Sequence, residues 1–152
     1  MTFKDQPWET RFKKMGDEAE GIFESVAARN KWGYHRSGLN RPEEFNMLDI
    51  PVMVRYTPDY LCDWAYVEVQ GFGADRLFKL KREKWGALCE WNDKVFHTEL
   101  FAWDSITQRY CLFSLDWLDY RQYDTEGVYP EGKQWVGWNV DSLPGWLPYV
   151  SQ

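Results

Sequence analysis

Histidine and cysteine are scarce: the chain of 152 residues has two of the first and three of the second. Two histidines are too few for a multi-histidine metal centre. Cys62, Cys89 and Cys111 are odd in number, far apart and form no CxxC pair, which argues against a disulfide framework and a structural zinc site. Long apolar runs are missing too, and none approaches the roughly 18 residues that a membrane helix needs. The opening residues, Met-Thr-Phe-Lys-Asp-Gln-Pro-Trp, lack the apolar stretch and small-residue cleavage site of a signal peptide. The expectation is one soluble domain in the cytoplasm, with reduced thiols and no membrane partner. Positive charge is also in deficit, with 18 Lys+Arg against 24 Asp+Glu and a net charge of −6.

Apolar residues are not lacking. They make up 44% of the chain, enough for a real core, and aromatics reach 18% with ten Trp. The negative charge argues against a nucleic-acid partner only if it is evenly spread, and it is not. Residues 1–50 hold 8 bases and 9 acids and residues 51–94 hold 7 and 7, whereas residues 95–152 hold 3 and 8. Five of the six excess negative charges therefore sit in the last third. The bases cluster at Arg11, Lys13 and Lys14, at Arg29, Lys31, Arg36 and Arg41, and at Arg76, Lys79, Lys81, Arg82 and Lys84. One face can hold a polyanion while the acidic tail points elsewhere.

Phe12, Met15, Ala19, Ile22, Phe23, Val26 and Ala27 recur at helical spacing and predict one amphipathic helix from Thr10 to Lys31, stopped by Gly33. Tyr34 to Ser37 reads as a short strand and Gly38 to Asp49 as a polar loop. Strands are expected at Pro51 to Tyr56 and, most clearly, at Trp64 to Gln70, which ends at Gly71-Phe72-Gly73. Leu77, Leu80, Trp85 and Leu88 predict a second helix to about Asn92. Two further strands, Val95 to Trp103 and Arg109 to Leu115, flank a turn at Asp104 to Gln108. Asp116 to Gln152 shows no period and reads as an ordered extension. The alternation predicts an α/β domain with a small mixed sheet.

The chemistry-bearing segment is Thr57-Pro58-Asp59, then eight residues, then Glu68-Val69-Gln70-Gly71. In a strand Glu68 and Gln70 project from the same face, roughly 7 Å apart, while Val67 and Val69 face the core. If the preceding strand pairs with this one, Asp59 falls at its end beside Glu68. Two carboxylates so placed need a compensating positive charge. Hard oxygen ligands of this kind suit Mg²⁺ or Mn²⁺, which polarise a phosphodiester and lower the pKa of a bound water.

Pro58-Asp59 followed by Glu68-Val69-Gln70 resembles the hallmark of the PD-(D/E)XK, restriction-endonuclease-like nucleases, with Gln where Lys is usual. Gly16-Asp17-Glu18-Ala19-Glu20 on the first helix is similar to the acid-bearing helix of the cellular and phage Holliday-junction resolvases of that superfamily. Gly33-Tyr34-His35-Arg36-Ser37-Gly38 looks like their Gly-aromatic pair and basic loop. Gly71-Phe72-Gly73 with Lys79-Leu80-Lys81-Arg82-Glu83-Lys84-Trp85 is similar to their turn and Lys-rich helix. The resemblance covers residues 10–115. It implies a restriction-endonuclease-like core over 1–115, a small mixed β-sheet flanked by helices in the order α-β-β-β-α-β-β. Residues 116–152 then form an extension packed on the core or at a dimer interface. The implied function is a metal-dependent DNA endonuclease acting as a homodimer on branched DNA.

By that resemblance Asp59 and Glu68 ligate the metal, with the Val69 carbonyl as a third oxygen and Glu20 reaching it directly or through water. Glu24 is the alternative acid on that helix, and Asp63 a weaker one. Gln70 takes the place of the lysine that orients the attacking water; its missing charge is supplied by a second metal or by Lys79 or Lys81. Arg36 and Ser37, with Arg29, Lys31 and His35 nearby, contact phosphate. His97 reads as structural. Most Trp residues read as core, while some of Trp117, Trp135, Trp138 and Trp146 contact a dimer partner or stack on unpaired bases. The alternatives are a flap-, nick- or sequence-specific nuclease of the same fold, a silent DNA-binding or interaction domain, or an unrelated aromatic-rich binding module.

Overall fold

The computed structural model describes residues 8–38 and 50–151. The helical period of the first segment is realised as α1 (Trp8–Arg29), which buries Ala19, Phe23, Val26 and Ala27. It is followed by β1 (Tyr34–Arg36), a short α2 (Val52–Arg55), β2 (Tyr60–Cys62), β3 (Tyr66–Gly71), β4 (Leu77–Lys81) and α3 (Arg82–Lys94). Then come β5 (Thr98–Asp104), β6 (Arg109–Ser114), α4 (Leu115–Tyr120), β7 (Thr125–Val128), β8 (Gln134–Asn139) and β9 (Leu147–Pro148). Of the expected loop 38–49, all but Gly38 lies outside the described residues, and so does Arg41.

Among the described residues the main sheet has six strands in the order β1-β2-β3-β5-β6-β9. Only the central pair, β3 and β5, is parallel. The chain between them leaves the sheet and returns through α3, the crossover that a parallel pair requires. Along β3 and β5 the faces alternate. Val67, Val69, Phe101 and Trp103 pack under α1, while Leu100 and Ala102 face a second core with Leu88, Phe78, Leu80 and Trp138. Close approach of α1 depends on Gly71, where a Cβ would lie 3.3 Å from the Met15 carbonyl oxygen. Among the described residues no helix is long and apolar enough to cross a membrane.

Two expected elements differ. Pro51 to Tyr56 is a helical turn, not a strand: Arg55 N–H donates to the Pro51 carbonyl at 2.9 Å and Tyr56 N–H to Val52 at 3.1 Å. The Met53 carbonyl accepts from Trp91 Nε1 at 2.8 Å, so the turn is held by α3 and not by a strand neighbour. The expected helix from Leu77 begins only at Arg82. Leu77 to Lys81 is a strand because Phe78 and Leu80 alternate inward and pair with Trp138 and Val136 of β8. That pairing makes a second sheet, β4-β8-β7, from tail residues without a readable period. The rest of the tail returns to the main sheet, where β9 pairs with β6 and Tyr149 lies edge-on to Trp103.

The end of β5 is fixed by ion pairs to Asp104, a close one from Arg76 and a longer one from Arg109 at 3.9 Å. Arg76 donates to both carboxylate oxygens of Asp104, at 2.8 and 2.7 Å, and Thr107 Oγ1 donates to the same group. Burial alone would raise the Asp104 carboxyl, but these hydrogen bonds outweigh it and hold it well below its ordinary 3.8. Asp104 is 1% exposed, so Arg76→Ala leaves a buried anion with only the Thr107 hydroxyl, the Ile106 and Thr107 N–H groups and the more distant Arg109. The variant is expected to lose about 3 kcal/mol of unfolding free energy at pH 7, read by urea denaturation. A depressed carboxyl contributes its full stability above the unfolded value and loses it as pH falls, so the deficit shrinks towards pH 3.

Candidate active site

Asp59 and Glu68 meet because of the register of one antiparallel pair. Tyr60 lies opposite Val67 and Leu61 opposite Tyr66. One step further places Asp59, just before β2, opposite Glu68 and on the same face. The strand that brings Asp59 there is Tyr60–Cys62 and not the expected Pro51–Tyr56. Asp59 is held on both sides. Its Oδ2 accepts from Val69 N–H at 2.8 Å, and its carbonyl accepts from Ser37 N–H at 2.9 Å and Gly38 N–H at 3.1 Å. Ser37 Oγ donates to the Pro58 carbonyl at 2.8 Å.

Glu68 is 4% exposed. Lys84 Nζ stands 3.6 Å from its Oε1, and its buried Oε2 has no hydrogen-bond partner. Burial and then the nearby Asp59 charge push the Glu68 carboxyl well above its ordinary range, against the pull of Lys84. A buried carboxyl facing a second, half-buried one cannot ionise cheaply beside it without a cation.

Glu20, on α1, is drawn elsewhere. It pairs with Arg36, which also donates to Tyr60 Oη at 3.2 Å, while Tyr60 Oη donates to Glu24 at 2.9 Å. Burial raises the Glu20 carboxyl, Arg36 lowers it, and the charge of Asp59 raises it again. Glu20 thus feels Asp59 but is bonded to Arg36. Among the described residues no three His, Cys, Asp or Glu converge tightly enough to hold a metal ion between them. The pair Asp59 and Glu68 is what the fold assembles. Two carboxylates with one buried oxygen unpartnered fit a hard divalent cation that keeps most of its waters. Val69, offered as a carbonyl ligand, lies in β3 opposite Phe101 of β5.

The remaining expected residues are spread around this pair. Gln70 donates its side-chain N–H to the Lys79 carbonyl and so ties β3 to β4. Lys79 and Lys81 lie on β4, not on a helix, and neither is aimed at Glu68. Lys79 pairs with Asp75 at 2.6 Å and lies over the Trp135 ring, and Lys81 pairs with Glu131 at 3.4 Å. Arg29 stacks on Tyr149, and exposed Lys31 has a φ of +57° just past α1. Exposed Asp63 donates its N–H to the Gly33 carbonyl in the β2–β3 turn. His97 bonds Glu99 at 2.8 Å. Lys84 was the residue missed. Its signal was helical spacing, because it lies one turn before Leu88 and two before Trp91 on the face that meets β3.

The raised Glu68 carboxyl has a measurable consequence in metal-free protein. Between its ordinary 4.5 and the higher folded value, the folded state keeps a proton that the unfolded chain has released. Stability therefore falls as pH rises through that window. Glu68→Gln removes the titration with little change of shape. With EDTA present it is expected to melt several degrees above the parent at pH 8 and level with it at pH 4. Thermal unfolding followed by circular dichroism at the two pH values checks this. In comparisons with known proteins, no family model, curated protein or solved structure matched this chain.

Proposed function

We propose that the chain is a metal-dependent DNA endonuclease of restriction-endonuclease-like fold, acting in the cytoplasm as a homodimer on branched DNA such as a four-way junction. The observation that carries the reading is the facing pair of half-buried Asp59 and buried Glu68, with its unpartnered Glu68 oxygen. The element order supports it. With α2 and β4 set aside as additions, α1-β1-β2-β3-α3-β5-β6 follows the order α-β-β-β-α-β-β that the resemblance implies.

Mg²⁺ or Mn²⁺ held by Asp59 and Glu68 would polarise the phosphodiester and lower the pKa of a water. The chain's own groups do the positioning. The Val69 N–H fixes one Asp59 oxygen and leaves Oδ1 for a ligand. The Ser37 and Gly38 N–H groups lock the backbone of Asp59 in place. Arg36, with 57% of its side chain exposed beside Glu20, offers a guanidinium to a phosphate at the rim of the pair.

A second reading is a DNA-binding domain of the same fold that does not cut. Two observations favour it: the Gln70 side chain is spent on Lys79, and Glu20 on Arg36. Labelled four-way junction, flap, nicked and plain duplex DNA with Mg²⁺, Mn²⁺ or EDTA separate the readings. The junction is expected to be cut with either metal and spared with EDTA. Asp59→Asn should reduce cutting about 100-fold, a typical loss for one charge-stabilising group, while a gel shift shows junction binding retained. Preferential cutting of the flap, the nicked duplex or the plain duplex makes it another nuclease of the fold. Binding without any cutting selects the silent domain, and equal cutting by Asp59→Asn moves the site elsewhere.

A further inference from the structure

Gln70 leaves the Asp59–Glu68 pair without the positive charge that a strand lysine would bring. The fold brings one from another element. α3 lies across the face of β3 that carries Tyr66, Glu68 and Gln70, and its contacts run in step with the strand. Trp91 stacks edge-on against Tyr66 at 5.4 Å between ring centres, and Lys84, seven residues earlier, reaches Glu68. Leu88, between them on the same helical face, is fully buried. Lys84 is therefore fixed by the packing of a whole helix face and is not a surface side chain that swung inwards. Among the described residues it is the one cation within ion-pair distance of Glu68. The candidates nearer in sequence are engaged elsewhere, Lys79 with Asp75 and Lys81 with Glu131. Gln70 has a part in this as well, because its bond to the Lys79 carbonyl holds the strand that runs without a loop into α3.

We infer that Lys84, delivered from α3, is the cationic group of the nuclease site and takes the role left open by Gln70. This rests on the proposed nuclease reading. In hydrolysis a water oxygen bonds to phosphorus and the bond from phosphorus to the leaving sugar oxygen breaks. One water proton goes to solvent, and the leaving oxygen takes a proton from solvent. The Lys84 ammonium keeps its protons and donates a hydrogen bond to the oxygens on which charge accumulates, beside Glu68. Its side chain is 24% exposed, so a phosphate at the rim can reach it.

The test compares Lys84→Gln, Lys84→Arg and, as a charge control, Lys94→Gln at the exposed far end of α3. Two readouts are needed: steady-state cleavage of four-way-junction DNA, and Mn²⁺ affinity of DNA-free protein by isothermal titration calorimetry. Lys84→Gln is expected to lower kcat about 100-fold with KM little changed, Lys84→Arg to recover part of it, and Lys94→Gln to match the parent. Without DNA, Lys84→Gln should bind Mn²⁺ several-fold more tightly, because the cation competing for Glu68 has gone; a merely structural lysine would instead weaken cutting and Mn²⁺ binding together. That joint loss, or an unchanged kcat in Lys84→Gln, overturns the inference while the nuclease reading stands. A parent protein that neither binds Mn²⁺ nor cuts DNA overturns both.

Discussion

Two like-charged side chains are forced to face each other by the register of β2 on β3, and much of the molecule serves to tolerate that placement. Asp59 opposite Glu68 is unfavourable in isolation, since one carboxyl is almost fully buried and the other sits within its field. Backbone N–H groups from β3 and from the end of β1 steady Asp59, and an ammonium from α3 faces Glu68. One Glu68 oxygen is left unanswered. A buried polar oxygen without a hydrogen bond costs stability.

The two faces of the main sheet divide the labour. Under α1 lies an aromatic core of Phe23, Tyr60, Phe101 and Trp103, with Phe23 and Tyr60 only 4.6 Å apart between ring centres. The edge of that layer carries Glu20, Glu24 and Arg36 as a bonded group. The opposite face holds Glu68 and Gln70 and is closed by α3 and the second sheet. Asp59 sits where the two layers meet at the end of β2, which explains why its charge is felt by both Glu20 and Glu68.

Local pattern revealed α1 and β3 because their spacing admits one answer. Seven apolar residues at intervals of three and four fit a helix alone, and β-branched and aromatic alternation with a glycine stop fits a strand. Leu77 to Lys81 satisfied both periods, and only the pairing of Phe78 and Leu80 with β8 settled it. Val52 and Val54 suggest a strand, yet both are about 40% exposed and among the described residues no strand pairs with them. The tail has no period because its pieces are short and serve two sheets, with Trp138 fully buried in one and Tyr149 packed at the edge of the other.

The sequence by itself determined the residue types at Asp59, Glu68 and Gln70, and the strand face from which Glu68 and Gln70 project. Those properties follow from residue type and a two-residue period, which are local. Tertiary structure alone decided that Glu20 is held by Arg36, that Gln70 is spent on the Lys79 backbone, and that the cation beside Glu68 is Lys84. Each of these joins elements distant along the chain. Such contacts are set by helix-on-sheet packing, whose geometry depends on the volume of every residue between them.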